Sequence, residues 1–271
     1  MAGSVGDRFE YNAVLGCDND LFCRAYADEN LLSFSKEAVD IFAIIARTIW
    51  FGRLPGEAQQ RLAQAARVKH YKKGSYLYTT GQHTTDVLCV VTGRVRLGIS
   101  SALGQEFAIT DLTAESWTGE QVLMDDEARV FDAQVVEDAT VLVIPRSTVL
   151  AVGDDYPEMY RELFAEHIRR TRRLYELLGG MLFYPLRSRL AGRLLELVNE
   201  HGEEVDGGVY VSTKLSQNDF ARFSLGSRQR INKIFREWCD RDIIVVESDK
   251  YFIKDLAALR GELELTDLRP E

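Results

Sequence analysis

The segment Ser227-Arg228-Gln229-Arg230-Ile231-Asn232-Lys233-Ile234-Phe235-Arg236-Glu237-Trp238 carries the side chains best suited to recognising another molecule. At 3.6 residues per turn, Ile231, Ile234, Phe235 and Trp238 share one face and must pack inward. The opposite face then shows Gln229, Asn232, Lys233 and Arg236, and Arg228 reaches past the helix end. Arg and Lys can donate to guanine in the major groove, and Gln and Asn can pair bidentately with adenine. Ser227 is a good N-cap. With Arg230 it stands where a helix N-terminus favours phosphate. Just upstream, Ser216 and Asp219 have capping-box spacing, with Asp in place of Glu. Phe220, Ala221 and Phe223 supply an apolar face, and Leu225-Gly226 supplies a turn whose angles glycine can take. Two short helices between Leu215 and Ile244, the second presenting amide and basic groups, are the layout of a helix-turn-helix DNA reader.

The elements that position this reader follow from local patterning. Ile243 to Val246 and Tyr251-Phe252-Ile253 predict a hairpin around Ser248-Asp249-Lys250, the wing of a winged helix. Glu200 to Gly208 reads as a polar loop, and Leu186 to Val198 as a helix. From Asp154 to Met181 a long helix is expected, its start marked by Asp154-Asp155-Tyr156-Pro157-Glu158. Along it Tyr160, Phe164, His167, Thr171, Leu174, Leu178 and Met181 recur at steps of four and three. That is the spacing of a helix–helix seam and predicts a homodimer contact. The same spacing also suits an amphipathic helix lying on its own domain. Between Tyr71 and Pro145, short β-prone runs alternate with turn signals at Gly81, Thr92-Gly93 and Gly104-Gln105, which predicts an antiparallel barrel or jelly roll. Ser35-Lys36-Glu37 opens a helical stretch with Val39, Phe42, Ile45, Ile49 and Trp50 at helical spacing. Ala58 to Val68 reads as another helix.

With 33 basic and 42 acidic residues the chain has a net charge of -9. Nothing global announces a nucleic-acid partner, but the charge is uneven. From Val211 to Arg241, Lys214, Arg222, Arg228, Arg230, Lys233, Arg236 and Arg241 face only Asp219, Glu237 and Asp240. A local patch governs phosphate binding, because salt screens charges beyond about 8–10 Å. The N-terminus lacks the pattern of a signal peptide, and the apolar run Ala38 to Phe51 is too short and too charged to span a membrane. A cytoplasmic location and no membrane partner are the expectation. Cys17, Cys23, Cys89 and Cys239 form no Cys-x-x-Cys pair, and His70, His83, His167 and His201 are scattered. No metal, haem or iron–sulfur cluster is therefore expected.

From about Trp50 to about Leu256 the sequence resembles the cyclic-AMP receptor protein and fumarate–nitrate regulator (Crp–Fnr) family of bacterial transcription factors. The resemblance lies in Leu54-Pro55, the Lys73-Gly74…Gly81 spacing, Val91-Thr92-Gly93-Arg94-Val95, Gly119-Glu120, the long helix and Gly226-Ser227-Arg228-Gln229. It implies an α+β chain: an N-terminal extension (1–40), a β-roll, or jelly-roll, sensor domain resembling a cyclic-nucleotide-binding domain (41–153), a dimerisation helix (154–184), a winged helix-turn-helix (185–260) and an acidic tail (261–271). By the family's pattern Arg228, Gln229 and Lys233 read base edges, and Gly119, Glu120 and Arg129 hold the ribose and cyclic phosphate of an effector. A carboxylate accepting from a ribose hydroxyl and a guanidinium pairing with phosphate suit that ligand. The sequence departs from the pattern where Val130 replaces a hydroxyl residue, where Asp132 adds negative charge, and where Leu174 stands in place of a hydroxyl facing the adenine, although Tyr175 next to it could substitute. Cyclic-nucleotide binding is therefore not favoured, and the effector is left open. Glu120 and Arg129 could instead form a structural ion pair. The expected partners are double-stranded DNA, a second copy of the chain and, for an activator, RNA polymerase. No nucleophile–base constellation or phosphate loop suggests an enzyme. The rival reading is a regulatory subunit or interaction module that does not bind DNA.

Overall fold

The computed structural model describes residues 39–102, 104–125 and 127–263. The arm expected over residues 1–40, Cys17, Cys23 and the helix start at Ser35 lie almost wholly outside them. Two compact units divide between Gly179 and Gly180.

The first unit opens with α1 (Ile41–Arg47), whose N-cap Asp40 accepts from the Ala43 amide, and α2 (Gly56–Ala65). Both helices are shorter than their patterning suggested. Ile49 and Trp50 lie beyond the end of α1, in a turn that delivers Trp50 and Phe51 into the core. Val68 belongs to a strand rather than to α2. Strands β1 (Arg67–Tyr71), β2 (Tyr76–Tyr78), β3 (Asp86–Ser100), β4 (Glu106–Leu112), β5 (Trp117–Thr118) and β6 (Asp132–Pro145) form one antiparallel sheet. Its path is β1-β6-β3-β4, with β2 paired to β6 and β5 to β3. A short α3 (Gln121–Met124) separates β5 from β6.

The continuous apolar run in β3 has a physical use. Val87 and Cys89 pack with Ile45, Phe51, Leu62 and Trp117 on the helix side, whereas Leu88 and Val90 pack with Tyr78, Val141 and Val143 inside the roll. A strand buried on both faces cannot show alternation. Thr92-Gly93 is not the expected turn. The strand runs through it, with register shifts against β6 on either side and Gly93 at φ +84°. This is a bulge that bends a long strand. A Cβ at Gly93 would stand 2.1 Å from the Asp138 carbonyl oxygen, so no other residue fits.

Helix α4 (Arg146–Asp155) precedes the long helix α5 (Met159–Phe183). Asp154 and Asp155 therefore end one helix rather than open the next. Residues 159–179 of α5 belong to the sensor unit, so the helix is not a separate body between domains. Met159 and Leu163 are buried against the roll. Tyr160, assigned to the seam by spacing, also packs on the roll: a Cβ at Gly153 would lie 2.3 Å from its hydroxyl oxygen. One residue further round, Phe164 is 66 % exposed, Leu174 51 % and Leu178 52 %, with Leu182 and Phe183 exposed beyond them.

The second unit contains α6 (Leu186–His201), β7 (Gly202–Val205), β8 (Gly208–Val211), α7 (Gln217–Ser224), α8 (Arg228–Asp240), β9 (Ile244–Glu247), β10 (Lys250–Ile253) and α9 (Leu256–Gly261). The stretch read as a polar loop is a hairpin, β7 and β8 joined at Asp206-Gly207 with Gly207 at φ +84°. Every residue of β7 is exposed, so no apolar alternation marked it. It extends the wing into a sheet ordered β7-β8-β10-β9. The β9–β10 turn is Ser248-Asp249, both with positive φ as a two-residue hairpin turn requires, and Lys250 already lies in β10. Glu262, assigned to the acidic tail by sequence, is ion-paired to Arg187 and Arg241.

Candidate DNA interface and sensor pocket

Local chemistry fixes both helices of the reader. The capping box at α7 is complete: Ser216 Oγ accepts from the Asp219 amide, and Asp219 Oδ2 accepts from the Ser216 amide at 2.8 Å. Ser227 caps α8 by accepting from the Arg230 amide. The turn between them differs from expectation. Leu225 takes the left-handed conformation (φ 50°, ψ 49°), a conformation costing a non-glycine residue about 1 kcal/mol. Gly226 instead packs closely on Leu186, whose Cδ1 would lie 2.7 Å from a Cβ there.

Aromatic packing sets the angle between the helices. Phe220 of α7 meets Phe235 of α8 edge-on at 5.2 Å and Tyr251 of the wing at 5.0 Å. The buried Tyr251 hydroxyl donates to the Leu215 carbonyl at 2.7 Å. Ile231, Ile234, Phe235 and Trp238 are buried, as their spacing required. Facing outward, Arg228, Gln229, Arg230, Lys233 and Arg236 are exposed. None of these four cations has an acidic partner among the described residues, in a chain whose net charge is -9. Arg241 leaves the basic patch, because Glu262 neutralises it, and Glu237 is occupied by Arg187. Asn232 also differs from its neighbours: it is half-buried, and its Nδ2 donates to Gln217 Oε1 of α7 at 3.0 Å. Arg189, on α6, donates to the carbonyls of Ser224 and Tyr184. Burial, and then the nearby charge of Arg230, hold its pKa below the ordinary value.

In the sensor unit Gly119, Glu120 and Arg129 come together, but each is already engaged. Gly119 has φ +99°, and a Cβ there would lie 2.7 Å from the Asp86 carbonyl oxygen and 3.3 Å from Arg129 Nη1. Arg129 is buried: Nε donates to Thr84 Oγ1 at 2.8 Å, Nη2 donates to the Asp86 carbonyl at 2.9 Å, and the guanidinium sits 4.2 Å over the Tyr78 ring. Burial lowers its pKa, opposed by Tyr78 and Glu120. Burial also pushes the Tyr78 phenol up to about 12, and its hydroxyl is paired with Thr118 Oγ1.

The ion pair considered for Glu120 and Arg129 is not the one formed. Glu120, also buried, pairs with Arg170 of α5 at 2.8 Å. Arg170 further donates to the Trp117 carbonyl at 2.7 Å, pairs with Glu166 and approaches the Trp50 ring. Sequence reasoning missed Arg170; the signal was its i, i+4 spacing from Glu166. Asp132 is engaged elsewhere, its Oδ1 accepting from the Thr80 amide. Val130 and Tyr175 are both exposed, and no described contact ties Tyr175 to Glu120 or Arg129. Glu120 and Arg129 are thus both held by groups of the protein itself, and Val130 and Leu174 offer no hydroxyl.

A winged helix-turn-helix whose second helix carries cations with no acidic partner among the described residues, in a chain that also holds a β-roll, is the build of a DNA-binding transcription regulator. Comparisons with known proteins agree. The family model of a cyclic nucleotide-binding domain matches residues 68–156, and that of a Crp-like helix-turn-helix domain matches residues 188–262. The chain is 24% identical over 212 residues to the CRP-like cAMP-activated global transcriptional regulator of Mycobacterium tuberculosis, covering 78% of this chain and 95% of that one. It is 21% identical to the Anaerobic regulatory protein of Bacillus subtilis over 216 residues, 78% of this chain and 90% of the relative. Its fold is similar to that of a CooA mutant from Carboxydothermus hydrogenoformans (TM-score 0.65, 21% identity, 74% of this chain and 89% of that one). It is also similar to that of FixK2 from Bradyrhizobium japonicum (TM-score 0.65, 17% identity, 72% and 96%). The chain belongs to the Crp–Fnr family of bacterial transcription regulators. Among the described residues no helix is long and apolar enough to cross a membrane.

Proposed function

We propose that the protein acts as a cytoplasmic homodimer that reads an inverted-repeat operator with α8, under the control of a sensor unit not tuned to cyclic AMP. The observation that carries this reading is the outer face of α5. Single exposed apolar residues are ordinary, but Phe164, Leu174 and Leu178 repeat on one helix face and stay more than half exposed in the protomer. A two-fold seam of this kind removes them from water. A dimer that reads two half-sites holds its two copies of the reading helix about 34–36 Å apart, in successive major grooves. Selecting binding sites from random duplex with the full chain is expected to return an inverted repeat whose half-sites lie about 10 base pairs apart, centre to centre. A single half-site or a direct repeat would contradict the two-fold arrangement.

Control by an effector would be a shift between dimer arrangements, favouring the one that fits DNA. Arg170 supplies a physical link, since it joins the pocket carboxylate to the helix that carries the seam. The relative from M. tuberculosis is described as cAMP-activated. For this chain the reading is a different small effector, or none. Each missing hydrogen bond to a charged or buried group is worth about 1–3 kcal/mol. Calorimetry is therefore expected to show no micromolar binding of cyclic AMP. A micromolar signal that vanishes in Arg129→Ala would overturn this. RNA polymerase is the further partner if the outcome of binding is activation.

A further inference from the structure

We propose that Gln217, the first residue of α7, is a positioning residue for sequence recognition: it holds the Asn232 amide in the orientation that reads an adenine in each half-site. The inference rests on α8 being the reading helix, as proposed above.

Asn232 lies on the outward face of α8, four residues after Arg228 and four before Arg236. Arg228, Gln229, Lys233 and Arg236 are exposed, whereas Asn232 is half-buried and held by Gln217 across the helix pair at 3.0 Å. Gln217 is itself well placed. It lies within the capping box, directly after Ser216, whose amide and hydroxyl both donate to Asp219 Oδ2, at 2.8 and 2.7 Å. The backbone at Gln217 is therefore fixed by the same chemistry that starts α7.

A side-chain amide has two N–H donors and one carbonyl acceptor. Gln217 Oε1 takes one N–H of Asn232. The second N–H and Oδ1 remain, and they are the pair that complements adenine N7 and the adenine amino group. An unanchored Asn must be ordered on binding, at a cost in side-chain entropy. It can also flip, exchanging donor for acceptor. An acceptor at residue 217 restricts both freedoms. A guanidinium or ammonium at that position has no acceptor and could not do so.

The experiment measures affinity, by fluorescence anisotropy with the full chain, for three sets of duplex: the selected operator, operators changed at one base pair in each half-site, and random sequence. Asn232→Ala and Gln217→Met are each expected to reduce the operator-to-random ratio about five- to tenfold and to flatten preference at the same A·T pair. Random-duplex binding stays unchanged, and the double variant loses little more than either single one. Gln217→Glu keeps the acceptor but adds a negative charge near the phosphates. It should preserve the ratio while weakening both duplexes, which a purely structural role would not produce. Full base preference in Gln217→Met, fully additive losses, or a collapsed ratio in Gln217→Glu would each sink the proposal. If Asn232→Ala keeps its preference while Arg228→Ala loses it, the amide pair is only a staple between helices and the reading helix stands. If Arg228→Ala also keeps its preference, the reading helix itself is wrong. Melting curves confirm folding, and Gln217→Ala carries the same test if the Met variant does not fold.

Discussion

Changing Phe164 and Leu178 to Glu in one chain is expected to yield a folded monomer that has lost operator binding. Both side chains are more than half exposed in the protomer, so the new carboxylates stay in water and its core is untouched. In a two-fold seam the same carboxylates would face their symmetry mates in an apolar interface, where an unpaired charge costs several kcal/mol. Four of them would meet across one dimer, and the seam would not close. Loss of the second half-site removes the avidity of a two-site complex, a factor of about 10²–10⁴. Light scattering should report the monomer mass, and thermal melting should retain a cooperative transition. A variant that still scatters as a dimer would place the interface elsewhere on the chain.

The second large effect concerns the reading helix. Arg228→Ala should cost about 1–3 kcal/mol on the selected operator and relax preference at one base pair of each half-site. With Lys233→Ala added, the combined loss should reach about 2–6 kcal/mol, because the two side chains address different bases. Both are exposed and ion-pair with nothing among the described residues, so their removal leaves the aromatic core of the unit intact. Arg230→Ala is the control. Placed at the capped start of α8, it should weaken operator and random duplex alike, and flatten the salt dependence by about one unit for each phosphate it no longer neutralises. If the double variant keeps its operator with the same sequence preference, a different element reads the bases.

The second domain was the more legible in sequence because its signals are local. Capping at Ser216 and Ser227 and the 3.6-residue spacing of Ile231, Ile234, Phe235 and Trp238 act over a few residues, and they hold in the structure. The hairpin at Asp206-Gly207 was missed because an edge strand exposed along its whole length has no apolar rhythm to read. In β3 the opposite problem arose. Glycine marks a turn and a bulge alike, and only pairing with β6 distinguishes them. At Leu225-Gly226 the residue types were right and their roles reversed, since the left-handed angles belong to the leucine and the close approach to the glycine.

The sequence by itself determined that this is a two-part regulator, with a β-roll, a long apolar-striped helix and a winged reader whose outer face is basic. Periodicity, caps and turn residues are properties of neighbouring positions, and the chain states them directly. Tertiary structure decided the partners. Two rows run along α5 one residue apart, and packing chose Met159 and Leu163 for the roll, leaving Phe164, Leu174 and Leu178 exposed. It joined Glu120 to Arg170, fifty positions away, drew Arg129 inward over Tyr78, and tied Asn232 to Gln217. Pairings at such separations depend on how whole elements lie against one another. Only the folded arrangement fixes which of several complementary charges or amides comes within about 3 Å, and so whether a pocket is open to a ligand or closed on itself.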